Sequence, residues 1–178
     1  MNAPSHFPVA EPTDAIDTLA EADDPRRSFL RARWFEASGD PTLSTAIARA
    51  PSGRPLAALP LVTKSVGPLR VRQVAGAYWP FRGAPVDSAA SVDALAEGLC
   101  KSGTARALGT VWRIGPVVAD DPSLVTLRNA ASQAGWHCLE RAVGALFCLD
   151  LVALRASGTW PSTKGKQKDR WRVRQLEK

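Results

Sequence analysis

The sequence has little of the usual catalytic and metal-binding repertoire, holding two histidines and three cysteines in 178 residues. Cys100, Cys138 and Cys148 are odd in number, form no CxxC pair and meet no histidine at metal-ligand spacing. A disulfide framework and a zinc site are therefore disfavoured, and the expectation is reduced thiols in a cytoplasmic protein without a metal. No run of eighteen apolar residues is present, so no transmembrane segment is expected, and MNAPSHFPVAEPTDA has neither the basic nor the apolar region of a secretion signal. The elbow GxSxG, the phosphate loop GxxxxGK[ST] and a GxGxxG following a strand are all missing.

The chain does have an apolar fraction of 45% and a charged fraction of 22%, enough for one ordinary domain with a sizeable core. Its net charge of +6 is confined to one end. Arg155–Lys178 holds eight basic residues against two acids, while residues 1–154 hold fifteen of each sign. A neutral body with a basic tail disfavours a nucleic-acid domain, which would carry charge on its folded surface as well.

Residues 1–27 contain four prolines, six acids and few large apolar side chains, and are expected to form a disordered leader. A short amphipathic helix is predicted in SFLRARWFEASGD, with Ser28 as N-cap and Gly39 past its end. TLSTAIARA, LAALPLVTKSV and GPLRVRQVAGA read as three strands of an antiparallel meander, with Pro60 pointing to an edge position or a bulge. SAASVDALAEGLCKSG reads as a helix capped by Ser88 or Ser91 and stopped at Gly103, and ARALGTVWRIGPV as a strand. DDPSLVTLRNAASQAG reads as a helix opened by Pro122, in which Asp120 and Asp121 serve as N-terminal charge rather than as an acid/base pair. WHCLERAVGALFCLDL reads as a strand, and the lone ordered histidine, His137, as structural. The fold class expected is α/β (α+β), a mixed, largely antiparallel sheet with helices packed on it.

Two stretches stand out. YWPFRGAPVD sets Tyr78, Trp79, Phe81 and Arg82 in a loop after a strand, where such a cluster either lines a concave site that holds a substrate by stacking and charge or fills the core beneath a turn. STKGKQKDRWRVRQLEK spreads Lys164, Lys166, Lys168, Arg170, Arg172 and Arg174 around a helix with Trp171 and Leu176 as sparse apolar contacts. It suits a solvated helix, a polyanion contact, or a helix whose apolar side is completed by residues beyond Lys178.

The succession WFEASGD, LAALPLV, VRQVAGAYWPFRGAPVD, VWRIGPV, AASQAGW, CLDL and the closing basic stretch, from about Ser28 to Lys178, resembles the amino-terminal half of the GNAT-type acyltransferases related to the cellulose-biosynthesis protein CelD. The resemblance implies a leader at 1–27, a GNAT-like domain at 28–161, and a basic helix at 162–178 leading toward a second GNAT-like half that holds the acetyl-CoA. It further implies acyl transfer to an amine on a small-molecule or glycan-precursor acceptor, with Tyr78, Trp79, Phe81 and Arg82 facing that acceptor and no catalytic residue assigned. A GNAT pyrophosphate loop resembles [QR]xxGx[GA] between a strand and a helix; QVAGAY, RALGTV and RAVGAL each lack its last small residue, so the loop for acetyl-CoA or another acyl-CoA is expected to be incomplete. The competing expectation is a non-enzymatic module that uses its basic end to contact a polyanion or acidic partner.

Overall fold

The structure, a computed structural model, describes residues 12–23, 27–76, 82–119, 121–145 and 151–158. The expected leader is corrected in part, because Pro12–Ala22 is a helix, α1, while residues 1–11 and 24–26 lie outside the described residues. Proline suits a first helical turn, and Ala15, Ile16, Leu19 and Ala20 recur at helical spacing as one buried face. That face packs against the first two strands of the sheet. Averaged over 27 residues the composition hides this stripe; its two large members each contribute about 1.5–3 kcal/mol on burial.

The next helix, α2 (Ala32–Glu36), is shorter than SFLRARWFEASGD predicts, and Ser28 does not cap it. The amide of Ala32 instead donates to Asp17 Oδ1 at 2.8 Å, so α1 supplies the cap for α2.

Strands β1 (Ser44–Arg49), β2 (Pro55–Val66) and β3 (Leu69–Val74) form the expected antiparallel meander, in the order β1-β2-β3. Pro60 lies neither at an edge nor at a bulge; it is inside the central strand, opposite Thr45. Its carbonyl accepts from the Ala75 amide at 2.8 Å, so its missing N–H faces the β3 side, one position past the last β2–β3 pair, Leu61 with Val74. Beyond Pro60 the same edge of β2 passes to residues 85–87: the Ala58 amide donates to Pro85 O and the Asp87 amide to Leu56 O. The proline thus occupies the handover between two partners, where no ladder donor is required.

Leu56–Val62 is buried continuously, as in a strand covered on both faces. Helix α3 (Val92–Cys100) is capped by Ser91, whose hydroxyl accepts from the Ala94 amide at 3.2 Å. It approaches β1 so closely that a Cβ on Gly98 would lie 3.1 Å from the Arg49 nitrogen.

Gly103 does not end the helical region. Helix α4 (Ser102–Leu108) follows immediately and takes in ARAL, which the sequence assigns to a strand. Alanine, leucine and arginine are good helix formers, and Leu108 buries fully. Thr104 Oγ1 donates to the Ile47 carbonyl and Lys101 Nζ to that of Arg49, both at 2.9 Å. The outer edge of β1 is covered in this way, which protects it from pairing with another chain.

The expected strand shrinks to β4 (Trp112–Arg113), which pairs parallel to β3 and completes a four-stranded mixed sheet. Helix α5 (Pro122–Gln133) packs on α3 through a face containing Leu127, Ala130 and Ala131. Asp121 caps it, accepting from the Ser123 and Leu124 amides, as the sequence anticipates, while Asp120 lies outside the described residues.

The strand expected from Trp136 onward is not formed over 136–145, where Leu139 is 97% exposed. A strand exists by pairing, and β4, last in the sheet, offers only two residues of edge. Met1–Val143 and Gly144–Lys178 are two separate units; the described helix of the second is α6 (Leu151–Ser157). The basic stretch 162–178 lies outside the described residues.

Candidate functional site

Loops at the carboxyl ends of adjacent parallel strands are where open α/β sheets gather ligands. Here β3 and β4 are the parallel pair, and the loops that leave them are joined. The Arg82 amide donates to Pro116 O at 3.2 Å, and the Gly115 amide donates back to Arg82 O at 3.1 Å. With residues 85–87 paired to β2, the segment after YWPF is held on two sides.

Of the four residues expected to face a substrate, Tyr78, Trp79 and Phe81 lie outside the described residues, and Arg82 lies within them. Arg82 is half-buried; its Nε is shielded from solvent and has no hydrogen-bond partner among the described residues. Its backbone is the one held between the two loops.

Next to it is a small cleft lined by Gly83, Ala84, Val86, Ile114, Val117 and Asp121, among others, with a volume of about 10 Å³. That is room for about one water. The ionic network at this cleft is not apparent in the sequence. Arg27 Nη1 donates to Asp121 Oδ1 at 2.5 Å, Arg27 Nη2 donates to the Ala84 carbonyl at 2.7 Å, and Asp23 Oδ2 lies 3.3 Å from Arg27 Nε. Asp121 also accepts from the Ser123 hydroxyl at 2.5 Å. Arg27 belongs to the segment assigned to a leader, and its partner is 94 residues away; only the capping role of Asp121 has a local signal. The Arg27 guanidinium bonds Asp121 and the Ala84 carbonyl and pairs with Asp23, which makes this network a clamp on the loop, and no hydrogen bond among the described residues ties the Arg82 side chain to it.

Other candidates are placed elsewhere. His137 is exposed beyond α5, and its neighbour Trp136 packs edge-on to Trp112 with ring centroids 5.8 Å apart. Cys100 and Cys138 are exposed free thiols. Among the described residues no group of three or more His, Cys, Asp or Glu could hold a metal ion, and no helix is long and apolar enough to cross a membrane.

Of the three near-matches to the pyrophosphate loop, none meets a helix N-terminus within the described residues. In RALGTV, Gly109 (φ +72°) follows α4, at the negative end of a helix rather than the positive one. The first amides of α5 are taken by the Asp121 carboxylate, which would repel a phosphate, and α3 is capped by Ser91. QVAG lies in the described residues at the end of β3 and its continuation lies outside them, while RAVGA has no regular structure through Ala145. Comparison of the chain with protein-family models, curated proteins and solved structures finds no match.

Proposed function

We propose that the chain is the acceptor-binding, amino-terminal portion of an acyl-CoA-dependent N-acyltransferase of the CelD-like GNAT type, inactive alone and completed by a second half that holds the acyl-CoA. The observation that carries this reading is the junction of the loops after β3 and β4, which fixes the aromatic segment's last residue, Arg82, at the carboxyl ends of the parallel pair. The acceptor is a small molecule or glycan precursor bearing an amine. Tyr78, Trp79 and Phe81 supply stacking surface and Arg82 supplies charge. No acyl-transfer step is assigned to described residues.

The test is release of free thiol from acetyl-CoA with amino-sugar acceptors, using the chain alone and together with any GNAT-like polypeptide encoded downstream in its reading frame. Thiol release only when both are present, and lost in Arg82→Gln, supports the reading. Release by the second polypeptide alone at the same rate refutes it.

One observation favours a polyanion-binding module as the second reading. Elements β3, α4 and β4 carry Arg70, Arg72, Arg106 and Arg113 and no acid. Retention on heparin that falls steeply with salt, and that weakens both on deleting residues 163–178 and in the exposed Arg70→Gln and Arg113→Gln variants, would select it.

A further inference from the structure

The half-buried arginines of the described residues are Arg27, Arg49, Arg72, Arg82 and Arg128. Four of them are anchored. Arg27 bonds Asp121 and the Ala84 carbonyl, Arg49 donates to Gly53 O, and Arg128 donates to Glu140. Arg72 bonds the Ala107 carbonyl and the hydroxyls of Thr63 and Ser44. Arg82 alone has no side-chain hydrogen bond among the described residues, although its Nε is closed off from water. A guanidinium is always charged, and a buried N–H that lacks a partner carries an uncompensated desolvation cost. Such a group is expected where a ligand supplies the missing acceptor.

The position is also fixed in advance. Both backbone hydrogen bonds of Arg82 are made to the loop after β4, so the side chain leaves a clamped root rather than a free loop. The carboxylates of the adjoining network, Asp23 and Asp121, pair with Arg27, and no ion pair joins either of them to Arg82 among the described residues. The planar fork of a guanidinium matches the paired oxygens of a carboxylate or phosphate.

We propose that Arg82 is the anchor for an oxyanion, carboxylate or phosphate, carried by the ligand of this site. The inference rests on the acyltransferase reading only in naming that ligand the acceptor, which then bears an anionic group as well as its amine.

The test is calorimetric titration of the full chain with sodium phosphate and, separately, sodium acetate, against sodium chloride of equal ionic strength. One of the two anions binds saturably, and Arg82→Gln weakens it by about tenfold or more, the loss expected when a charged hydrogen bond is removed. The exposed Arg113→Gln changes it by less than about twofold. Phosphate binding without acetate assigns a phosphorylated ligand, and the reverse assigns a carboxylate. If Arg82→Gln does not fold, the Nε–H resonance of Arg82 in the wild-type chain shifts as the binding anion is added. Absence of saturable binding by both anions, equal binding by Arg82→Gln, or an unmoved Arg82 resonance overturns the proposal. No acyl-CoA is present in these experiments, so anion binding through Arg82 in a chain that never supports acyl transfer would uphold this inference while removing the enzymatic reading.

Discussion

Arg27→Met tests the clamp beneath the site, because methionine keeps most of the aliphatic stem and removes every hydrogen bond. The side chains of Arg27, Asp121 and Asp23 are 11%, 16% and 7% exposed, so both acids are poorly solvated and each would lose its pairing with Arg27. Charged hydrogen bonds contribute about 1.5–3 kcal/mol each, which puts the bonds to Asp121 and Ala84 O at about 3–6 kcal/mol together. Asp121 keeps its bonds to Ser123 and Leu124, so the lower end applies. A loss of about 3 kcal/mol is expected, within the range for removing one partner of a buried pair. In urea unfolding followed by tryptophan fluorescence, with a slope of about 2 kcal/mol per molar, the midpoint falls by about 1.5 M. Adding Asp121→Asn to Arg27→Met removes one stranded charge and costs less than the sum of the two single changes. A midpoint shift below about 0.3 M for Arg27→Met would show that the network does not hold the loop, and the reasoning would fail.

Gly98→Ala opposes two effects: helix propensity favours it by about 1 kcal/mol, whereas overpacking against strand backbone costs about 1–3 kcal/mol. Since the added Cβ would meet the Arg49 nitrogen and oxygen at 3.1 and 3.2 Å, packing wins, and chemical denaturation registers a net loss. Thr104→Val leaves the Ile47 carbonyl on the edge of β1 without its donor and lowers stability by about 1–2 kcal/mol in the same assay. Asp40 titrates at about 2 rather than 3.8, because Lys64 Nζ and then the Thr42 hydroxyl and amide donate to its carboxylate. A lowered folded-state value means that its contribution is present above about pH 4 and is lost as pH falls toward 2; a carboxyl carbon titration by NMR centred near 3.8 would contradict this contact.

Local signals carried the parts of the fold that depend on neighbours in sequence. The three strands of the meander, the Ser91 cap of α3 and the Asp121–Pro122 start of α5 were all legible, because each is a relation between residues a few positions apart. Misreadings arose where a distant partner decides. Ile16 and Leu19 form a helix face because the sheet is there to receive it, and Ala32 is capped by Asp17 across a break between helices. Pro60 enters a central strand because two different segments share one edge of β2, which no pattern within LAALPLV reveals. ARAL matches a helix or a buried strand equally well until Leu108 finds its place in the core. At the site, the sequence grouped Arg82 with Tyr78, Trp79 and Phe81, whereas the Arg27–Asp121 clamp spans 94 residues and has no local mark.

The central claim is that this chain holds the acceptor side of the reaction and not the donor cradle. Titrating acetyl-CoA into the purified chain alone tests it most directly. The account predicts no saturable heat up to about 1 mM, the upper end of ordinary substrate affinities. Binding with a dissociation constant in the micromolar range would contradict it.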